Sequence, residues 1–585
     1  MTGSEALTAL ALMAAAFTTV AVGVYGGRLS RTTSDFLVAS RTVGPRWNAA
    51  AISGEYLSAA SFLGVAGLVA KYGADAMWYP IGFTAGYLGL LLFVAAPLRR
   101  SGAYTVPDFT EFRLGSRRLR TMTMVFVVVI CVLYLVPQYQ GAGLTLKILL
   151  GVPFWVGPVA IAVIIIANVV GGGMRSITFV QAFQYWLKLT AIAIPALALL
   201  ALFAHDPAPL TEPLPPTIAQ HTTVSIETAV VVQIDSPPGI SVSGTLNGQP
   251  VRDTSIPSPG EYELGRGSSM TLEAGAHTPV IAGAPSSGEE WVGSGGGLGG
   301  AHPLYQVLSI IITTFLGTMG LPHVMVRFYT NPDGQTARRT ALTVIALLSV
   351  FYAFPTLMGV FARLYVPQLL ITDTADVAVV LMPQAAFAGS PGQLLAALAA
   401  AGAIAAFLAT SSGLLVSIAG ALATDVLRGR VRDFRIAAVL GGLLPLPLAM
   451  AASTLELSRN VGLVFAVAAS TLCPLLVLGI WWRGLTVAGA MSGLLTGGLA
   501  SGTAAALTLA GGVDEHALGG WLGVLIGYPA AVSVPLAFVT MVVVSRCTTA
   551  SGDTARIFAR MHLPERLGMS IERMPSDERL RESNK

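Results

Sequence analysis

The sequence predicts an all-α polytopic membrane protein with one extracytoplasmic insert. Composition is the first reason. Of 585 residues, 54% are hydrophobic and 11% charged, with mean hydropathy +0.70, where a soluble protein carries about 25% charged residues. The second is a series of thirteen apolar runs near the ~20 residues that a helix needs to cross a bilayer. The third is the placement of arginines, which make every second connection basic.

The runs cover 5–27, 47–70, 76–98, 121–149, 153–171 and 177–204, then 304–329, 339–364, 391–424 and 434–453, then 459–481, 486–511 and 520–546. They are called spans 1 to 13. The loop after span 1 holds Arg28, Arg31, Arg41 and Arg46, and that after span 3 holds Arg99, Arg100, Arg113, Arg117, Arg118 and Arg120. Arg175, then Arg327, Arg338 and Arg339, then Arg428, Arg430, Arg432 and Arg435, then Arg483 continue the alternation. The positive-inside rule then sets the N-terminus outside and the C-terminus in the cytoplasm of a plasma (inner) membrane protein. Span 1 lacks a basic segment before its apolar run, which suits an uncleaved anchor better than a signal peptide.

The expected organisation is an N-terminal anchor and loop (1–46), a first helical unit (47–204), an insert (205–302), a second helical unit (303–481), two further helices (482–547) and a cytoplasmic tail (548–585). The insert is rich in Pro, Gly, Ser and Thr. Its alternating stretch Ile240–Leu246 ends at Asn247-Gly248, a β-hairpin signal. The insert reads as a small β module or a partly disordered cap, with a decorative loop as the plainer alternative, and Gly293–Gly300 as a flexible tether.

Several functions are excluded. Cys131, Cys473 and Cys547 have neither metal-ligand spacing nor a disulfide framework. No HExxH, Walker motif or nucleophile–base pair occurs, so an enzyme, ATP-driven transport and a cofactor are not expected. The net charge of +4 lies in short loops, so no nucleic acid is expected. The lipid bilayer is the expected surrounding, and no obligate protein partner is inferred.

Chemistry concentrates in four stretches. Span 2 reads Ser53-Gly54-Glu55-Tyr56-Leu57-Ser58 at its middle. A carboxylate at membrane depth costs roughly 2.5–3.5 kcal/mol on insertion scales and is usually functional. Gly54 and the flanking hydroxyls would let the helix open and offer bare carbonyls to an ion; a kinked packing helix is the alternative. Span 4 carries Tyr134, Gln138, Tyr139 and Gln140 beside Pro137 and Gly141, a cavity wall or interhelical glue. Span 7 is interrupted by Gly317, Gly320 and Pro322, with His323 read as structural, orienting the turn toward the cytoplasmic side, and a proton relay as the alternative. Span 9 offers hydroxyls at Thr410, Ser411, Ser412 and Ser417, of which Thr410 shares a face with Ala406. The interruptions in spans 2 and 7 match if spans 2–6 and 7–11 are inverted repeats.

The residues also resemble a known family. Ser34–Arg41 (SDFLVASR), Gly54–Gly64 (GEYLSAASFLG), Tyr104–Phe109 (YTVPDF), Gly172-Gly173-Met174 with Val180-Gln181, and Gly320–Val324 (GLPHV) with Arg327-Phe328 resemble the sodium:solute symporters, within them the cation–acetate permease branch. The resemblance implies a LeuT-type core of two inverted five-helix repeats working by alternating access. It implies a Na+ site on the carbonyls of Gly54 and Leu57 with Ala406, Ala409 and Thr410. Ala409 departs from the family, which often has a hydroxyl there, so coupling by H+ through Glu55 is the alternative. The substrate residues implied are Tyr56, Ser61, Tyr79, Gln138, Gln140, Thr314 and Gly317, with no Lys or Arg embedded among the substrate-lining segments. The expectation is a symporter taking up a short-chain monocarboxylate (acetate, propionate or pyruvate) with Na+ or H+. Another solute, such as proline, pantothenate or a sugar, or a transporter-like sensor, is the alternative.

Overall fold

A computed structural model of the chain describes residues 3–27, 43–207, 209–226, 228–299, 302–371, 373–427, 430–451, 457–509, 520–549 and 554–563. The Ser34–Arg41 stretch, the arginines at 28, 31, 41 and 428, and the tail beyond residue 563 lie outside the described residues.

Helices stand at all thirteen expected positions. Among the described residues, nine helical stretches are long and apolar enough to cross a membrane, ten with the bent pair Gly520–Gly527 and Ala530–Arg546. The number is below thirteen partly because two stretches are compound. Ala60–Ser101 joins the second half of span 2 to span 3, and Val156–His205 contains spans 5 and 6. The latter pair folds at Gly173, whose φ of 58° and ψ of −159° suit glycine. Span 12 is the helix Val487–Leu509.

Span 9 is the axis of the core. Every residue from Ala399 to Ala421 is buried, and the helix packs against spans 1, 4 and 6. Its alanines and glycines permit that enclosure, because small side chains let helix backbones approach closely where lipid supplies no hydrophobic drive. Spans 2 and 7, which open the two repeats, are both broken. Span 2 runs as a helix over Pro45–Tyr56, leaves the helical conformation at Leu57 (φ −72°, ψ 89°), widens into a π-turn at Ala60–Gly64 and continues over Val65–Tyr72. Span 7 runs over Pro303–Gly320, is extended at Leu321 (φ −72°, ψ 118°), and resumes over Pro322–Tyr329.

The insert folds as an antiparallel sheet: β1 (Thr222–Ser225), β2 (Val230–Ile234), β3 (Ile240–Leu246), β4 (Gln249–Ser255), β5 (Gly260–Leu264), β6 (Ser269–Leu272) and β7 (Val280–Ile281). The strand order is β1-β6-β3-β5-β2-β7, with β4 on β3. The expected hairpin is β3–β4, turning at Asn247 and Gly248 with φ of 50° and 75°, the sign that a type I′ turn demands. The insert has its own core of Val232, Ile234, Val242, Leu264, Met270 and Leu272, and Ile371 from the connection after span 8 joins it.

The glycine-rich run is not the loose tether that its composition suggests. The amides of Gly295 and Gly297 donate to the Asp75 carboxylate at 2.8–3.0 Å. Just before them, Trp291 Nε1 donates to the carbonyls of Val69 (2.8 Å) and Ala70 (3.1 Å), the end of span 2. Glycine serves here by letting the backbone reach a carboxylate, not by staying mobile.

The basic connections gather at the other end. Arg99 donates to Asn331 O and Pro332 O, Arg113 to Gly479 O at 2.8 Å, and Arg120 pairs with Asp108 at 2.7 Å and Asp425 at 2.5 Å. The tail helix Thr554–His562 packs there, its Phe558 ring under the guanidinium groups of Arg113 and Arg483.

Candidate functional site

The break in span 2 leaves backbone carbonyls without helical partners, and span 6 supplies one. Lys188, wholly buried, donates from Nζ to Leu57 O at 2.7 Å and also to Gly54 O. Gly54 permits the approach of the two spans: a Cβ there would lie 2.1 Å from Gln181 O.

One residue on, Glu55 turns into a second cluster. Arg327 Nε donates to Glu55 Oε2 at 2.5 Å, with both side chains at most 2% exposed. The same guanidinium donates to Thr178 Oγ1 at 2.8 Å and to Gln181 Oε1. Gln181 Nε2 donates to Ala409 O at 2.7 Å, and Thr410 Oγ1 to Glu55 O at 2.6 Å. Spans 2, 6 and 7 are therefore tied at one level by charge-assisted bonds, and span 9 joins them through neutral ones. Such a pair is expensive to break, because the remaining buried charge then stands alone.

Arg327 corrects the expectation of a cytoplasmic loop arginine. The half-helix after Leu321 is buried at every position from Pro322 to Tyr329, so its charge faces protein. Lys188, absent from the sequence-based site, likewise puts a second cation inside the helical core.

On the other side of the break lies an aromatic cluster. The Tyr56 ring meets Tyr87 at 4.8 Å and Phe83 at 6.1 Å; Phe83 meets Phe465 at 5.0 Å and Tyr352 at 6.1 Å; Tyr134 meets Phe465 at 5.7 Å and His323 at 5.4 Å. The Tyr56 hydroxyl pairs with Thr318 Oγ1 at 2.6 Å, and Ser61 Oγ with the Tyr352 hydroxyl at 2.9 Å. Gln138 accepts the Ala59 amide at 3.0 Å, next to the break, while its Nε2, the Tyr87 hydroxyl and both ring nitrogens of His323 are buried without a hydrogen-bond partner among the described residues. His323 therefore packs edge-on to Tyr134 and makes no hydrogen bond that would orient the turn.

The structure brings most of the expected residues together. The carbonyls of Gly54 and Leu57 accept from Lys188, that of Ala409 accepts from Gln181, and Thr410 spends its hydroxyl on Glu55 O. Ala406 is buried on the same helix. Tyr56, Ser61, Tyr79 and Gln138 belong to the aromatic cluster or its border. Gln140 instead accepts from Asn460 of span 11 at 2.8 Å. Thr314 donates to Ile310 O on its own helix and closes on Gly82, and Gly317 closes on Phe465 O. These last two are packing contacts.

The family model described as the sodium:solute symporter family matches residues 36–206 and 295–497. The chain belongs to the sodium:solute symporter family. The match stops at the insert and resumes beyond it, so the β module is an addition to the family core. An uncharacterised symporter of Bacillus subtilis, YwcA, is 29% identical over 490 residues, 82% of each chain. A monocarboxylic acid transporter of Corynebacterium glutamicum is 28% identical over 539 residues, 89% of this chain and 88% of that one. Among solved structures, a Na+-coupled sialic acid symporter superposes with a TM-score of 0.60 at 12% identity, over 93% of this chain and 99% of that one; this shows the fold alone. The protein is thus a multi-pass membrane symporter of LeuT-type fold, a transporter and not an enzyme, and its family supports Na+ as coupling ion.

Proposed function

We propose that this symporter takes up a short-chain monocarboxylate (acetate, propionate or pyruvate) with a monovalent cation, Na+ or H+, by alternating access. One observation carries the reading. Two cations, Lys188 and Arg327, are buried beside a single carboxylate, Glu55, which leaves one positive charge in excess. Buried charge in low dielectric seeks a counter-ion, and a small carboxylate would supply it where a sugar or a zwitterion would not. The unpartnered Gln138 Nε2 and Tyr87 hydroxyl are donors suited to carboxylate oxygens. The monocarboxylic acid transporter among the relatives is consistent with this solute class.

The arrangement in a plasma (inner) membrane would set the insert and N-terminus outside and the tail in the cytoplasm, as the gathering of basic connections supports. The test is uptake of labelled acetate into proteoliposomes, challenged by excess propionate, pyruvate, proline, pantothenate or glucose. Propionate and pyruvate, the short-chain carboxylates, are expected to suppress uptake, and proline, glucose and the much larger anion pantothenate to leave it unchanged. Uptake of proline, pantothenate or glucose in place of acetate would overturn the solute assignment.

A further inference from the structure

The β module touches the helical core at two places, and the elements it touches there also meet each other. The first place is the strap. Trp291 Nε1 donates to Val69 O and Ala70 O at the end of span 2, and the amides of Gly295 and Gly297 donate to Asp75 just beyond it. Arg363, at the end of span 8, holds the strap from another side, donating to Ser286 O at 3.0 Å and Pro285 O at 3.3 Å. The second place is the connection after span 8. Its turn Pro367–Ile371 packs on β7, and Ile371 is wholly buried in the sheet's own core with Val232, Ile234 and Leu264.

Four residues beyond Ile371, the same connection closes on span 2. A Cβ at Gly67 would lie 2.8 Å from the Ala375 carbonyl carbon and 2.9 Å from the Asp376 nitrogen, and one at Gly64 would run into Ser458 Oγ. Asp376 Oδ2 accepts the Leu457 amide, at the start of span 11, at 2.9 Å. Gly64, Gly67, Ala375, Asp376, Leu457 and Ser458 are all buried. Span 2, span 11 and the 367–377 connection therefore shut the molecule on the insert side of the break at Leu57. A symporter has to part such contacts to pass solute through this end. Here the parting elements are both fastened to one sheet, and a close-packed core of this kind does not stretch. The strap is stitched to that sheet in turn, through Gly288 N to Glu212 O at 2.7 Å and Ala282 N to Val231 O at 2.9 Å.

We propose that the β module is a latch: it holds the 367–377 connection against span 2, and this end opens only once the strap releases Val69, Ala70 and Asp75. The strap is the anchor that gives, because its hydrogen bonds are each of small net worth, whereas withdrawing Ile371 would leave a cavity in the sheet. The latch needs only that the protein is a symporter, and it is the same whichever solute is carried.

Ser458→Cys, in a background of Cys131→Ala and Cys547→Ser, puts a reporter thiol in the closed contact. Cys473, buried further along span 11 beside Gly320, is the internal control. The purified full-length protein is treated in detergent with a charged maleimide, so neither the solute nor the membrane orientation enters the reading. With the strap intact, labelling at position 458 is expected to be slow. Trp291→Ala and Asp75→Ala are each expected to speed it at least about tenfold, since labelling tracks the open population and each variant loses about two hydrogen bonds. Asp75→Asn keeps the side chain's shape and is expected to fall between, so it decides the matter even if the alanine variants do not fold. Labelling that is already fast with the strap intact would overturn the latch, as would an unchanged rate in the strap variants, which would mean that the module rides on the core without restraining it. Acceleration at 458 accompanied by labelling of Cys473 would also overturn it, as general loosening and not the opening of one end.

Discussion

Arg327 and Glu55 pose the sharpest energetic question at the level of single residues, because each is buried and neutralises the other. Removing one charge leaves its partner buried and unpaired, at a cost of about 3–5 kcal/mol. Glu55→Gln is therefore expected to lower thermal stability and to abolish most uptake while the protein still inserts in the membrane. Arg327→Met should do the same, and the double substitution should be less destabilising than the sum of the two. A strictly additive double-mutant cycle would deny that the pair is coupled. Glu55 was legible because an isolated carboxylate within small residues stands out in an apolar run. Arg327 was not, because an arginine near the end of such a run, followed by Asn331-Pro332-Asp333, has the signature of a loop charge. Lys188 escaped for a related reason: one cation inside the apolar 177–204 run is averaged away when hydropathy is summed over twenty residues. Only the third dimension brings it to Gly54 and Leu57.

For elements, glycine and proline punctuation located both broken helices, since Gly54 and the Gly317–Pro322 stretch mark segments where an α-helix cannot run on undisturbed. The β3–β4 hairpin was equally readable, because Asn-Gly prescribes the turn. The strap that follows the sheet was not. Composition assigns glycine-rich segments to flexible tethers, but these amides find Asp75, and Trp291 finds the end of span 2. Arg363 adds a third contact, its guanidinium lying over the Trp291 ring at 5.2 Å and donating to Ser286 O at 3.0 Å. The insert is thus fastened to the adjoining ends of spans 2 and 8. Trp291→Ala removes two hydrogen bonds and the stacked ring, and Asp75→Ala the anchor for Gly295 and Gly297. Both are expected to speed amide exchange and protease nicking across 286–299 while the sheet at 222–281 stays protected. Unchanged protection of the strap in Asp75→Ala would mean that these amides are held by something else.

At the scale of the whole molecule, alternating charge and end-to-end packing lead to one arrangement by independent routes. Counting arginines sets every second connection on one side. The hydrogen bonds bring Arg99 to the connection after span 7, Arg113 to the end of span 11 and Arg120 to the end of span 9, all connections of that same set. The Asp75 strap and the β module join connections of the other set. The protein carries a reporter for this arrangement. Cys131 and Cys473 are buried, while Cys547, at the end of span 13, is exposed. In intact cells a membrane-impermeant maleimide is expected to spare Cys547 and to label it once the membrane is permeabilised. Arg252→Cys, on the exposed face of β4, made in a Cys547→Ser background, should label without permeabilisation. The reverse pattern would invert the assigned topology. Labelling of both sites in intact cells would put an odd number of the intervening helices outside the count of membrane crossings, because Arg252 and Cys547 lie on opposite faces only if an odd number of the seven spans 7 to 13 cross.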